Sequence, residues 1–145
     1  MTDAKHPGEF APATGRVVRQ GDAPLLSARD GEQTFRSTLN RITTGTEVIS
    51  GGWYRVAAGV ANHLDMHPDH DEFYFIHRGA ATMMLAGEAV PMAAGDTVFV
   101  PHGVEHQIVN DTAEPLELFY VFAPASPPFP VRDPQRYPVV KFEPA

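Results

Sequence analysis

Turn-forming residues interrupt this chain every few positions, and that rhythm restricts what it can fold into. Runs rich in Val, Ile, Phe, Tyr and Trp read as strands over Thr34–Ile42, Glu47–Ala57, His63–His67, Glu72–His77, Ala81–Leu85, Ala89–Met92, Thr97–Val100, His106–Val109 and Leu116–Phe122. Between them stand Thr43-Thr44-Gly45, Pro68-Asp69, Arg78-Gly79, Ala86-Gly87-Glu88, Ala94-Gly95-Asp96, His102-Gly103 and Asn110-Asp111. No stretch carries a sustained helical period. Many short strands joined by tight turns predict an all-β fold, an antiparallel sandwich or small barrel.

The bulk numbers bound the rest. At 145 residues the chain is one domain in length. Its net charge of -7 argues against a nucleic-acid or anionic-membrane partner, since both want clustered Lys and Arg. With no cysteine, a disulfide framework and a thiolate metal site are both excluded. Neither a signal-like start nor a membrane-length apolar run is evident, so a cytoplasmic location is the expectation. Residues 1–15 read as a loose N-terminal tail and 16–123 as the β domain. Residues 124–145 hold seven prolines and several apolar residues, a tail expected to pack on the domain or on a partner subunit.

The chemistry concentrates in two stretches. The first is Gly59-x5-Asp65-x-His67-x4-Glu72-x6-Gly79 and the second is Gly95-x5-Pro101-x-Gly103-x2-His106-x3-Asn110. Strand alternation puts His63, Asp65 and His67 on one face. Glu72 opens the next strand close to His67, and His106 arrives from a strand distant in sequence. Two His and a Glu from three strands make a facial triad with open positions, a set suited to Fe(II) and, with more oxygen ligands, Mn(II). His and Asp clustered in a turn are ordinarily solvated surface; the spacing to Glu72 and the separate His106 stretch argue otherwise here. His77 and His102 are expected at the surface. Tyr74 and Ile76 follow Glu72 inward by alternation, with Phe73 and Phe75 on the other face. Tyr74 is thus a candidate proton donor, although a packed core aromatic is the plainer role. Phe99, Phe119, Tyr120 and Phe122 are expected to line or close the barrel. Arg41 and Arg55 would anchor a substrate carboxylate if turned inward, although a surface arginine is the commoner outcome.

These two stretches resemble the paired motifs of the cupin superfamily. The second matches at each fixed position; the first departs only at Asp65, where the family has a histidine. The resemblance implies a small jelly-roll barrel holding one metal ion, often as a homodimer. Carried over by position, it implies His67, Glu72 and His106 as metal ligands. Asp65 then has three readings: a fourth, oxygen ligand; a base or hydrogen-bond partner orienting His67; or a bystander, with His63 or His70 supplying the missing nitrogen. The expected cofactor is a divalent metal ion, Fe2+ favoured, with Mn2+, Ni2+ or Zn2+ as alternatives. The expected partner is a small-molecule substrate, with Asp65 and Tyr74 as candidate catalytic groups. The resemblance implies an Fe(II)-type dioxygenase, or a non-redox lyase, isomerase, decarboxylase or polyketide cyclase, or else a ligand-binding module without catalysis.

Overall fold

The computed structural model describes residues 15–28, 31–126 and 139–143. Among the described residues there are ten strands: β1 (Leu25–Ala28), β2 (Gln33–Leu39), β3 (Ser50–Val56), β4 (Asp71–Arg78), β5 (Ala80–Leu85), β6 (Glu88–Ala93), β7 (Thr97–Val100), β8 (His106–Val109), β9 (Leu116–Ala123) and β10 (Val139–Glu143). They form two antiparallel sheets, one of seven strands in the order β10-β1-β2-β3-β9-β4-β7 and one of three in the order β6-β5-β8. The fold is therefore the expected all-β jelly roll, built as two facing layers rather than as one barrel closed by hydrogen bonds.

Four of the expected glycine turns carry the required left-handed backbone, with φ of 75° at Gly59, 88° at Gly79, 96° at Gly95 and 80° at Gly103. Gly51 and Gly52 answer a different need. A Cβ on Gly51 would run into the Tyr120 carbonyl, and one on Gly52 into that of Arg36, so β3 approaches its two neighbours only because these positions lack side chains.

The strand expectations need three corrections. The run Thr34–Ile42 stops at Leu39, because Asn40 caps a short helix, α1 (Arg41–Thr44). Its Oδ1 accepts from the Ile42 and Thr43 amides at 2.8 and 3.0 Å, and Gly45 closes the turn at φ 77°. The run His63–His67 forms no regular strand. It lies alongside β8 through single bridges, Ala61 to Val109 and Asp65 to His106. The tail contributes a strand that the runs above did not include, since Val139–Glu143 pairs with β1, Leu25 opposite Glu143. The expectations for residues 1–14 and 127–138 lie outside the described residues.

Between the layers, Val56, Ile76, Met83, Val100, Ile108, Leu116 and Leu118 are fully or almost fully buried. Each such aliphatic contributes about 1.5–3 kcal/mol. At one end of this core, the buried Asn110 side chain donates to the carbonyls of Val56, Ala57 and Glu114 at 3.2, 3.1 and 2.9 Å. Its Oδ1 accepts from Thr112 Oγ1 at 2.7 Å. One amide thus ties the end of β8 to the end of β3. Asn110→Ala is expected to cost about 2–3 kcal/mol, because it leaves carbonyls without their donor. Urea unfolding should show a lower midpoint at unchanged slope.

Candidate metal centre

Four backbone segments meet at the opposite end of the core. Asp65 and His106 face each other and exchange both backbone hydrogen bonds, each N–H donating to the other's carbonyl at 2.9 Å. That pairing puts both side chains on one face of the smaller layer. Glu72 comes from β4 in the larger layer, where alternation also buries Tyr74 and Ile76. His67 sits on the connection between the layers, and its carbonyl accepts from the Gly103 amide at 2.7 Å. Asp71 Oδ1 fixes the same loop, accepting from the His102 amide at 2.9 Å and lying 2.8 Å from His102 Nδ1. The amide hydrogen bond, then that of the ring, hold the exposed Asp71 carboxyl below its usual range. His102 is solvent-exposed, as expected, and His77 is exposed with its ring edge-on to Trp53 at 5.4 Å.

His67, Glu72 and His106 are 7%, 3% and 3% exposed, and one donor atom from each lies within 4.8 Å of the others. Glu72 Oε2 is 3.7 Å from His67 Nε2, and Oε1 is 3.4 Å from His106 Nε2. Donors about 2.1 Å from a common ion stand roughly 3.0 Å apart at right angles and roughly 3.4 Å apart at tetrahedral angles. The observed spacings sit at or slightly beyond that range. Two imidazoles and a carboxylate, all withdrawn from water, form a donor set that fits a divalent cation. His106 Nδ1 lies 3.0 Å from the Val104 carbonyl, which can only accept, so Nδ1 carries a proton and Nε2 is left to face Glu72. The His67 ring is packed against His70, stacked at 4.7 Å, and against the edge of Phe122 at 5.2 Å.

Asp65 lies next to these three donors. Its Oδ2 is 3.9 Å from His67 Nε2 and 3.5 Å from His63 Nε2, while Oδ1 accepts from the Met66 amide at 2.8 Å. Neither His63 nor His70 belongs to the converging group. Tyr74 is buried with its ring 6.4 Å from that of His106. Orientation sorts the remaining candidates. Arg55 alternates with the buried Tyr54 and Val56 and so faces away from the core. Arg41 lies on α1 and pairs with Glu47 at 3.2 Å. Of the aromatic group, Tyr120 and Phe122 are buried, whereas Phe99 is 60% exposed on the outer face and Phe119 shares that face. Sequence reasoning missed the stacking of His70 and the Asp71–His102 brace. A strand-to-loop contact of this kind has no periodic signal.

Burial alone would disfavour a charged His106, but the hydrogen bond and charge of Glu72, then the Val104 carbonyl and the charge of Asp65, outweigh it and raise its pKa. A raised folded pKa means the proton stabilises the fold fully below the ordinary value of 6.5 and ceases to do so once pH passes the folded value. A metal competes for the same site and displaces that proton. Chelator-treated protein is therefore expected to lose thermal stability as pH rises through this window. The increment restored by added Zn2+ or Mn2+ should grow over the same window, as read by differential scanning fluorimetry.

Comparison with known proteins adds to this geometry. The family model described as "Cupin domain" matches residues 52–122. The tetracenomycin polyketide synthase protein TcmJ of Streptomyces glaucescens is 27% identical over 128 residues, spanning 88% of this chain and 84% of that one. Among solved structures, a predicted oxalate decarboxylase from Thermotoga maritima superposes with a TM-score of 0.65 at 26% identity, covering 74% of this chain and 98% of that one. KdgF from a Halomonas species gives a TM-score of 0.66 at 18% identity over 77% and 94%, a likeness of fold alone.

Proposed function

Because the chain belongs to the cupin superfamily, we propose that His67, Glu72 and His106 hold a divalent metal ion and that the protein is an enzyme acting on a small oxygen-bearing molecule beside it. The observation that carries this reading is the convergence of three buried donors within 4.8 Å. When bound, the ion supplies positive charge that holds substrate oxygens and stabilises negative charge developing on them.

The chain's own residues define the rest of the reaction. Asp65 is a carboxylate outside the three-donor group but within reach of a molecule bound there, the position of a general base taking a proton from carbon next to a carbonyl. His63, 3.5 Å from Asp65, is placed to pass that proton outward. Tyr74 and Tyr120, register partners on β4 and β9, are both buried two residues along β4 and β9 from Glu72 and its partner Phe122. The relation to TcmJ supports a polyketide-type substrate, whose alternating oxygens make such protons acidic. The non-redox reading, enolisation or ring closure of an enolisable substrate, therefore comes first. A second reading, an Fe(II) dioxygenase, is favoured by the two-nitrogen, one-carboxylate donor set.

Elemental analysis of anaerobically purified protein separates the two. Zinc, nickel or manganese near one per chain supports the first, and iron with substrate-dependent O2 consumption supports the second. A protein that cannot be loaded with any of these metals overturns both. Glu72→Gln is expected to remove most of the bound metal. Asp65→Asn is expected to keep the metal while kcat on a model diketone drops by about 10²–10⁴-fold; loss of metal in that variant would make Asp65 a ligand instead.

A further inference from the structure

The segment that leads into the donor group changes register on its way there. Beside β8, the Val60 carbonyl accepts from the Asn110 amide at 3.0 Å, Ala61 is bridged to Val109, and the Asn62 amide donates to the Ile108 carbonyl at 3.0 Å. The next bridge joins Asp65 to His106. Between the two bridges, three residues of the segment, 62–64, stand opposite two of β8, Gln107 and Ile108, which is a β-bulge. In an unbroken antiparallel ladder Asn62 and Ile108 would exchange both backbone bonds, and Leu64 and His106 would be the next pair to do so. Instead the Ile108 amide donates to the side chain of Asn62, at Oδ1, over 2.8 Å. The Asn62 carbonyl, which the ladder would have used, accepts from Gln107 Nε2 at 2.6 Å. Asn62 Nδ2 donates to the Tyr54 hydroxyl at 3.4 Å, and that hydroxyl donates to the buried Gln33 Oε1 at 2.6 Å, so the side chain is tied to the larger layer as well.

We propose that Asn62 is a positioning residue: its side chain stands in for a strand carbonyl, holds the bulge open and so turns Asp65, rather than Leu64, toward the donor group. The argument is parity. Asn62 points between the layers, and alternation from it would send Leu64 inward and Asp65 outward. The bulge reverses that order. Leu64 is 47% exposed, whereas the Asp65 side chain is 14% exposed and lies 3.9 Å from His67 Nε2. The amide that the bulge would strand belongs to Ile108, a fully buried residue, and an unmet buried amide is costly enough to draw the segment back to the regular register. With the Asn62 side chain truncated, its backbone carbonyl meets that amide, Leu64 comes opposite His106, and the slack moves to residues 65 and 66. His67 stays in place, because the Gly103 amide holds its carbonyl. The catalytic consequence rests on Asp65 being the base proposed above; the change of register does not.

The chain has no cysteine, so a single introduced thiol reports which way a position faces. Leu64→Cys and Asp65→Cys are each labelled with a maleimide in the full chain, with and without Asn62→Ala. With Asn62 in place, the thiol of Leu64→Cys should react the faster; Asn62→Ala should slow it and quicken that of Asp65→Cys, each about tenfold. Asn62→Asp, which keeps an acceptor for the Ile108 amide, should leave both rates near their starting values. A segment that is merely loosened would quicken both thiols, and that result, or two unchanged rates, overturns the proposal. Where Asn62→Ala alone fails to fold, deleting Leu64 beside it should restore folding, since the ladder is then regular with Asp65 still opposite His106; failure of that rescue overturns the proposal too. In the chain that keeps Asp65, Asn62→Ala should lower kcat on the model diketone about 10²-fold with bound metal unchanged. Crossed labelling rates with an unchanged kcat would uphold the register device and remove Asp65 from the reaction.

Discussion

Holding the Glu72 carboxylate out of water is the constraint around which this molecule is arranged. At 3% exposure it has lost nearly all its hydration, a loss that costs several kcal/mol for an isolated carboxylate. The fold answers with two imidazoles aimed at the two oxygens, one from the smaller layer and one from the connection between the layers. One of those rings is fixed by a carbonyl behind it and the other by stacking against a third histidine. Each of these supports depends on a loop whose own backbone is pinned, by Gly103 to His67 and by Asp71 to His102. A site of buried polar groups is stable only when its supports are complete. Here they extend about one residue beyond each donor.

Much of this arrangement was legible in the residues, for physical reasons that can be named. Strands such as Thr97–Val100 and His106–Val109 matched their sequence limits because turns with a required left-handed glycine bound them. The inward row of β4 followed from alternation once Glu72 was taken as buried. What escaped were features set by tertiary contact. The strip His63–His67 alternates like a strand, but nothing in its composition says that it pairs with β8 at isolated points. Ile42 has strand-like composition, yet the Asn40 side chain competes for the local amides and bends the chain into α1. Phe99 and Phe119 were placed inward by residue type when their strand parity puts them outside. Parity is the better guide wherever one strand residue has been anchored.

That parity gives β4 two separate tasks. Its even-numbered residues from Glu72 to Ile76 face the core and the donor group, while Phe73, Phe75 and His77 look outward. A peptide of eight residues thus presents two surfaces with no shared side chain. Substitutions on one surface reach the other only by shifting the backbone, which seven of these residues hold in register with β9.

The donors come from both layers and from the connection between them, so any cation they hold fastens one sheet to the other. Its binding energy is then cohesion between layers rather than a local property of three side chains. The segment from Val60 to His67, tied to β8 by only a few backbone hydrogen bonds, is where the fastening is thinnest. Its amides are the part of the molecule where exchange with solvent deuterium would be governed by metal occupancy, while the amides of β3 and β9, zipped along seven paired positions, would report only global opening.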